Sequence, residues 1–165
     1  CVGNALEVAE CVEILQGRGP TDLIDLIVDL ARKVSTAPRE ELVTRLNDGS
    51  AWRKFVALVE AQDGDASALE RMLDVHRAPM QQPIVAAASG TITAVDAETI
   101  GRASVLLGAG RQKANDAVDF AVGFSELKKV GEKVARGEPL MVVHARDEAA
   151  VRAITPLLEK AVAIE

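Results

Sequence analysis

The sequence predicts an α+β fold in two parts, on three observations. Up to about residue 78, apolar residues recur at helical spacing. From Ile84 onward, short apolar runs and period-two alternation mark strands mixed with helices. Between the two regimes, Arg77-Ala78-Pro79 and Gln81-Gln82-Pro83 form a polar joint punctuated by prolines. The predicted parts are therefore residues 1–78 and 79–165. With 165 residues, 48% of them hydrophobic, the chain can bury one good core or two small ones.

In the first part, Val8, Cys11, Val12 and Leu15 recur at i, i+3, i+4 and i+7, one face of a helix that Asn4 is placed to cap. Gly17 and Gly19 end it, and Pro20 opens a second helix with Leu23, Leu26, Ile27, Leu30 and Val34 on one stripe. A third helix runs from about Pro38 to Leu46. Asn47-Asp48-Gly49 is turn chemistry, and Ser50 can cap a fourth helix with Trp52, Phe55, Val56 and Val59 inward. Ser67-x-x-Glu70 has the form of a capping box for a fifth.

In the second part, Ile84–Ala88 and Thr91–Asp96 read as strands separated by Gly90, and Glu98–Leu107 as a helix stopped by Gly108 and Gly110. Ala117–Phe124 is a further predicted strand. Val130–Pro139 is a glycine-turned hairpin that feeds a strand over Leu140–Ala145, and a closing helix runs from Asp147 or Glu148 to Val162.

Composition narrows the function. A net charge of −6 argues against nucleic acid, whose phosphates need a basic stripe. Aromatics are 2% of residues, so bases would find no stacking platform. No apolar run approaches the ~18 residues of a membrane span, and no signal peptide is visible. Cys1 and Cys11 lack zinc and CxxC spacing, and Cys11 reads as a buried reduced thiol of a cytoplasmic protein.

Several motifs offer chemistry, each beside a plainer reading. Glu7, Glu10 and Glu13 lie on or near one helix face; paired carboxylates can serve as acid and base, but a solvated acidic face is the better reading. Leu107-Gly108-Ala109-Gly110-Arg111 resembles a phosphate loop, yet it follows a helix, so a C-cap with Arg111 paired to Asp116 or Asp119 is favoured. The glycine hairpin is similar to half of a biotinyl or lipoyl carrier domain without the attachment lysine. His76 and His144 stand alone, and His144 reads as structural. No catalytic or cofactor-binding residue is assigned.

The order of these motifs resembles a family. Gly3-Asn4-Ala5-Leu6-Glu7-Val8 with Glu10, then Gly17-x-Gly19-Pro20-x-Asp22-Leu23, then Asp48-Gly49-x-Ala51-x-x-x-Phe55 and Ala61-Gln62 are similar to thymidine and pyrimidine-nucleoside phosphorylases. So are Ser89-Gly90, Ile100-Gly101, Leu107–Arg111, Asp116, Asp119, Val122-Gly123, Gly131, Val134, Gly137–Leu140 and His144-Ala145, in order. The resemblance implies reversible phosphorolysis of a pyrimidine nucleoside to free base and pentose 1-phosphate. It identifies residues 1–78 as the last helices of an α/β domain. Residues 79–165 become a small C-terminal α+β domain of barrel-sandwich-hybrid or hammerhead type.

The same resemblance places the family's phosphate loop and base-holding residues before Gly3, so the expectation is a fragment without catalytic residues and inactive alone. No cofactor is expected for the chemistry. A potassium ion is implied in the complete enzyme, held by Glu10 and the backbone carbonyl of Cys1. Implied partners are phosphate and a pyrimidine nucleoside, with homodimerisation through a helical domain, and the implied location is cytoplasmic. The alternatives are a nucleoside-monophosphate phosphorylase of the same family and a non-enzymatic carrier-like module.

Overall fold

A computed structural model describes all 165 residues. In chain order the elements are β1 (Val2–Gly3), α1 (Asn4–Leu15), α2 (Thr21–Val34), α3 (Arg39–Asn47), α4 (Ser50–Glu60), a 3₁₀ turn (Ala66–Arg71), α5 (Met72–Val75), β2 (Met80–Val85), β3 (Gly90–Val95), α6 (Ala97–Leu107), β4 (Gly123–Ser125), β5 (Lys133–Val134), β6 (Pro139–Ala145), α7 (Glu148–Ala161) and β7 (Val162–Ile164). Helix and sheet are mixed as expected of an α+β chain. The chain forms two compact units, one of Val8–Met72 and one of Cys1–Glu7 with Leu73–Glu165.

The helical unit is built on Ile14, Val28 and Leu46, with Leu23, Ile24, Ile27, Leu42 and Val43 packed around them. Its stripes differ from those in the sequence pattern. Cys11 is exposed, and the buried residues of α1 are Ala5, Leu6, Val12 and Ile14. Ile14 lies about 180° around the helix from Ala5, so α1 buries no single stripe. On α2 the buried residue is Val28, whereas Leu26, Leu30 and Val34 are 54%, 59% and 90% exposed. This helix is apolar on more than one side, and α3 takes the Ile24–Val28 side. On α4 the four inward positions are only half-buried.

Two caps also differ. Ser50 is the first residue of α4 rather than its cap; Gly49 precedes it at φ 74°, and the Ser50 N–H donates to Asp48. Asp65, not Ser67, opens the 3₁₀ turn, accepting from the Ser67 N–H, while Glu70 accepts from Gln16.

The second unit carries an antiparallel four-stranded sheet in the order β1-β4-β6-β2 and a three-stranded sheet in the order β5-β3-β7. Ile100, Ala103 and Leu107 of α6 and Val151, Ile154, Leu158 and Ala161 of α7 share a core with Phe124, Met141 and Val143. A smaller core of Ala86, Ile92, Val134 and Leu140 serves the second sheet.

Half of the predicted joint is strand: Met80–Val85 pairs with β6 from Met80↔Ala145 onward. Pro83 sits in an edge strand, where a missing N–H is tolerated. The predicted strand over Ala117–Phe124 shrinks to Gly123–Ser125, and Val162 leaves the closing helix to begin β7.

Candidate functional site

The segment with most character is Gly3–Glu10. Gly3 faces Gly123 across the β1–β4 pair, at φ 136° and 155° respectively. A Cβ on Gly3 would lie 2.8 Å from the Val122 carbonyl oxygen, and one on Gly123 2.2 Å from that of Val2. Both positions therefore require glycine for close backbone approach as well as for conformation. Glu7 accepts from the Gly3 N–H at 2.8 Å, which places a carboxylate in the first turn of α1, at its positive end.

Asn4 does not cap the helix. Its Nδ2 donates to the Ala109 carbonyl at 2.8 Å in a partly buried setting. The Ala5 N–H, one of the first-turn donors without an intrahelical acceptor, reaches the Phe120 carbonyl at 3.1 Å.

The Gly108-Ala109-Gly110 loop is a helix C-cap, as its position after α6 suggests. Gly108 is left-handed at φ 110°, and the Gly108 and Ala109 N–H groups donate to Val105 and Ser104. Amides turned back into their own helix cannot cradle a phosphate. Arg111 is exposed, and the cation paired with Asp119 is Arg146, at 2.7 Å. Asp116 accepts from the Gln112 and Lys113 N–H groups. Burial works against the Asp119 charge, but the Ala121 N–H and Arg146 outweigh it and hold the carboxyl below its ordinary value.

His144 is not alone: its Nε2 lies 2.8 Å from the Ser125 hydroxyl. Ser125 and His144 are 19 positions apart in sequence on neighbouring strands, so no spacing rule could have joined them. Burial pushes the His144 pKa down, against a weaker opposing pull from Glu126. His76 stacks edge-on against Phe120 at 5.7 Å.

The glycine hairpin is a pair of similar turns. Gly131 and Gly137 are left-handed, Glu132 accepts from the Lys129 N–H and Glu138 from the Ala135 N–H. Lys128 bridges the two carboxylates at 3.3 and 3.1 Å. Hydrogen bonds to Glu138 and Glu132 raise the Lys128 pKa, and the Ala135 N–H with Lys128 lowers that of Glu138. These groups close turns on one another.

For a cation, Glu10 is half-buried on α1 and Cys1 is exposed beside β1. A carboxylate and a backbone carbonyl are donors of the kind a hard cation takes. His, Cys, Asp and Glu form no metal-holding group of three or more. No helix is long and apolar enough to cross a membrane.

Comparison with known proteins gives these features a context. Residues 91–165 match the family model described as the pyrimidine nucleoside phosphorylase C-terminal domain. The chain is 38% identical over 156 residues to the pyrimidine-nucleoside phosphorylase of Bacillus subtilis, covering 89% of this chain and 36% of that one. It is 42% identical over 161 residues to a thymidine phosphorylase of Burkholderia cenocepacia, covering 90% and 36%. A pyrimidine-nucleoside phosphorylase of Staphylococcus aureus is 37% identical over 153 residues, covering 87% and 35%. The chain spans about a third of the length of the curated relatives it matches.

Proposed function

We propose that this chain, which is related through most of its length to the C-terminal portion of thymidine and pyrimidine-nucleoside phosphorylases, belongs to an enzyme that cleaves a pyrimidine nucleoside with phosphate to free base and pentose 1-phosphate. The observation that carries the reading is the run of ordered matches at 38% and 42% identity through both units. Residues 1–78 then correspond to the last helices of the enzyme's α/β domain, and 79–165 to its C-terminal domain. The complete protein is expected to be a cytoplasmic homodimer.

The chemistry of such a reaction is positioning of phosphate against the anomeric carbon and stabilisation of charge as the glycosidic bond breaks. The resemblance places the groups that perform both tasks before Gly3 in the family's order. Purified chain incubated with thymidine or uridine in phosphate buffer is therefore expected to release no free base. Clear release, followed by the absorbance change of the freed pyrimidine, would refute the assignment of catalysis to other parts of the enzyme.

Glu10 is proposed as an oxygen ligand, with the Cys1 carbonyl, for a potassium ion in the complete enzyme. Such an ion supplies a fixed positive charge. Glu10→Gln in the complete enzyme should raise the potassium concentration needed for half-activation. Superimposable activation curves for the two proteins would remove Glu10 from the site.

A further inference from the structure

We propose that the face of α2 formed by Leu26, Leu30 and Val34 is a docking surface inside the complete enzyme, and that its occupant is an apolar sheet face from the portion that precedes these helices in the family's order. The inference rests on the reading of residues 1–78 as the last helices of an α/β domain. At about 100° per residue, the apolar positions of α2 run from Leu26 through Leu30 and Val34 to Ile24 and Val28 with no polar residue between them, an arc of about 200°. A helix that buries one side needs roughly half of that. The Ile24–Val28 side packs in the core of the helical unit and against α3. The other side is uncovered, with Leu26, Leu30 and Val34 54%, 59% and 90% exposed. The ion pairs of α2, which join Asp25 and Asp29 to Arg39 and Asp29 to Arg32, are grouped on the opposite side of the helix.

Three features select the occupant. The face carries no charge, so it fits an apolar partner. The unit Val8–Met72 holds helices and no strand, whereas helices of an α/β domain cover a sheet that is buried on both faces. The chain also spans about a third of the length of its relatives, so the longer protein has room for that sheet. A second copy is the poorer occupant. Three aliphatic side chains fall short of the roughly 800 Å² that each partner of a stable dimer buries. A segment of the same polypeptide docks without the translational and rotational cost of association.

The test compares the complete enzyme with the 165-residue chain. Leu30→Cys is placed in both, with every other cysteine replaced by serine, and its reaction with N-ethylmaleimide is timed. It should react at least about tenfold more slowly in the complete enzyme, because the thiol is reached only when the packed face opens. Arg32→Cys, on the opposite side of α2, should react alike in both. Equal rates for Leu30→Cys, or slowing of both variants by one factor, overturn the proposal. Protection that rises with the concentration of the isolated chain, and goes no further in the complete enzyme, gives the face to a second copy and overturns it too. Hydroxyl-radical footprinting of the wild-type proteins reads Leu26 and Leu30 without any substitution, and equal oxidation in the two is again decisive against it. Thymidine cleavage is followed on the same samples. Cleavage with an accessible position 30 sinks the docking face alone; a protected position 30 without cleavage sinks the phosphorylase reading and leaves the face assigned.

Discussion

At the residue scale, the informative positions are those whose role comes from a partner far along the chain. Asn4 looks like a cap and is an anchor for the Ala109 carbonyl. Arg111 looks like the partner of an aspartate, and Arg146 holds that place because it follows β6 directly. The glycine at 108 was legible as a C-cap, because local chain geometry decides it. The Ser125–His144 bond was not, since strand register creates it. That pair makes a measurable prediction. Burial lowers the His144 pKa from its ordinary 6.5, so the folded state favours the neutral ring. The associated stability is present above the unfolded value and is lost as pH falls through 6.5 towards the folded one. Urea midpoints taken from about pH 8 to about pH 5 should fall less in His144→Gln than in wild type. Parallel pH profiles would show that His144 contributes nothing to the acid limb.

At the element scale, helices were read well and their faces poorly. Length and punctuation placed α1 to α4, α6 and α7 because glycine, proline and caps act locally. Which side each helix buries depends on its neighbours, so the apolar stripe of α2 is split: Leu23 and Ile27 pack on the core, while Leu26, Leu30 and Val34 lie in solvent. Strands of two or three residues, such as β1, β5 and β7, carry too few positions for a period to show. β2 was hidden by Gln81, Gln82 and Pro83, which an edge strand accepts. The closing helix offers a direct test. Asp147 accepts from the Ala150 N–H at 2.8 Å, satisfying one of the first-turn donors of α7. Asp147→Ala should destabilise the second unit by about 1 kcal/mol in denaturant titration. An unchanged midpoint would mean that water replaces the cap without loss.

At the scale of the whole molecule, the sequence-based division at 78/79 and the compact units are drawn on different grounds. The first follows the change in hydrophobic period; the second follows contacts, and those join residues 1–7 to the sheet of the later unit. Separate cores make separate responses the expectation. Leu46→Ala should lower protection of amides in Val8–Met72, and Leu158→Ala that of amides in α6, α7 and β6. The second substitution is expected to cost about 2–5 kcal/mol, because Leu158 is fully buried. If either substitution lowered protection uniformly through the chain, the two units would be one cooperative body.

The pairing of Thr91 with Glu165 has a practical side. The Thr91 N–H donates to the Glu165 carbonyl at 2.6 Å and the Glu165 N–H returns the bond at 3.0 Å, so Glu165 is held against β3. A Cβ on Gly90 would lie 2.5 Å from the same carbonyl, so the fit there has no slack. An affinity tag fused directly after Glu165 would start beside a residue hydrogen-bonded to Thr91, one position past β7. A flexible spacer, or a tag placed elsewhere, keeps the handle from competing with β3 for its neighbour.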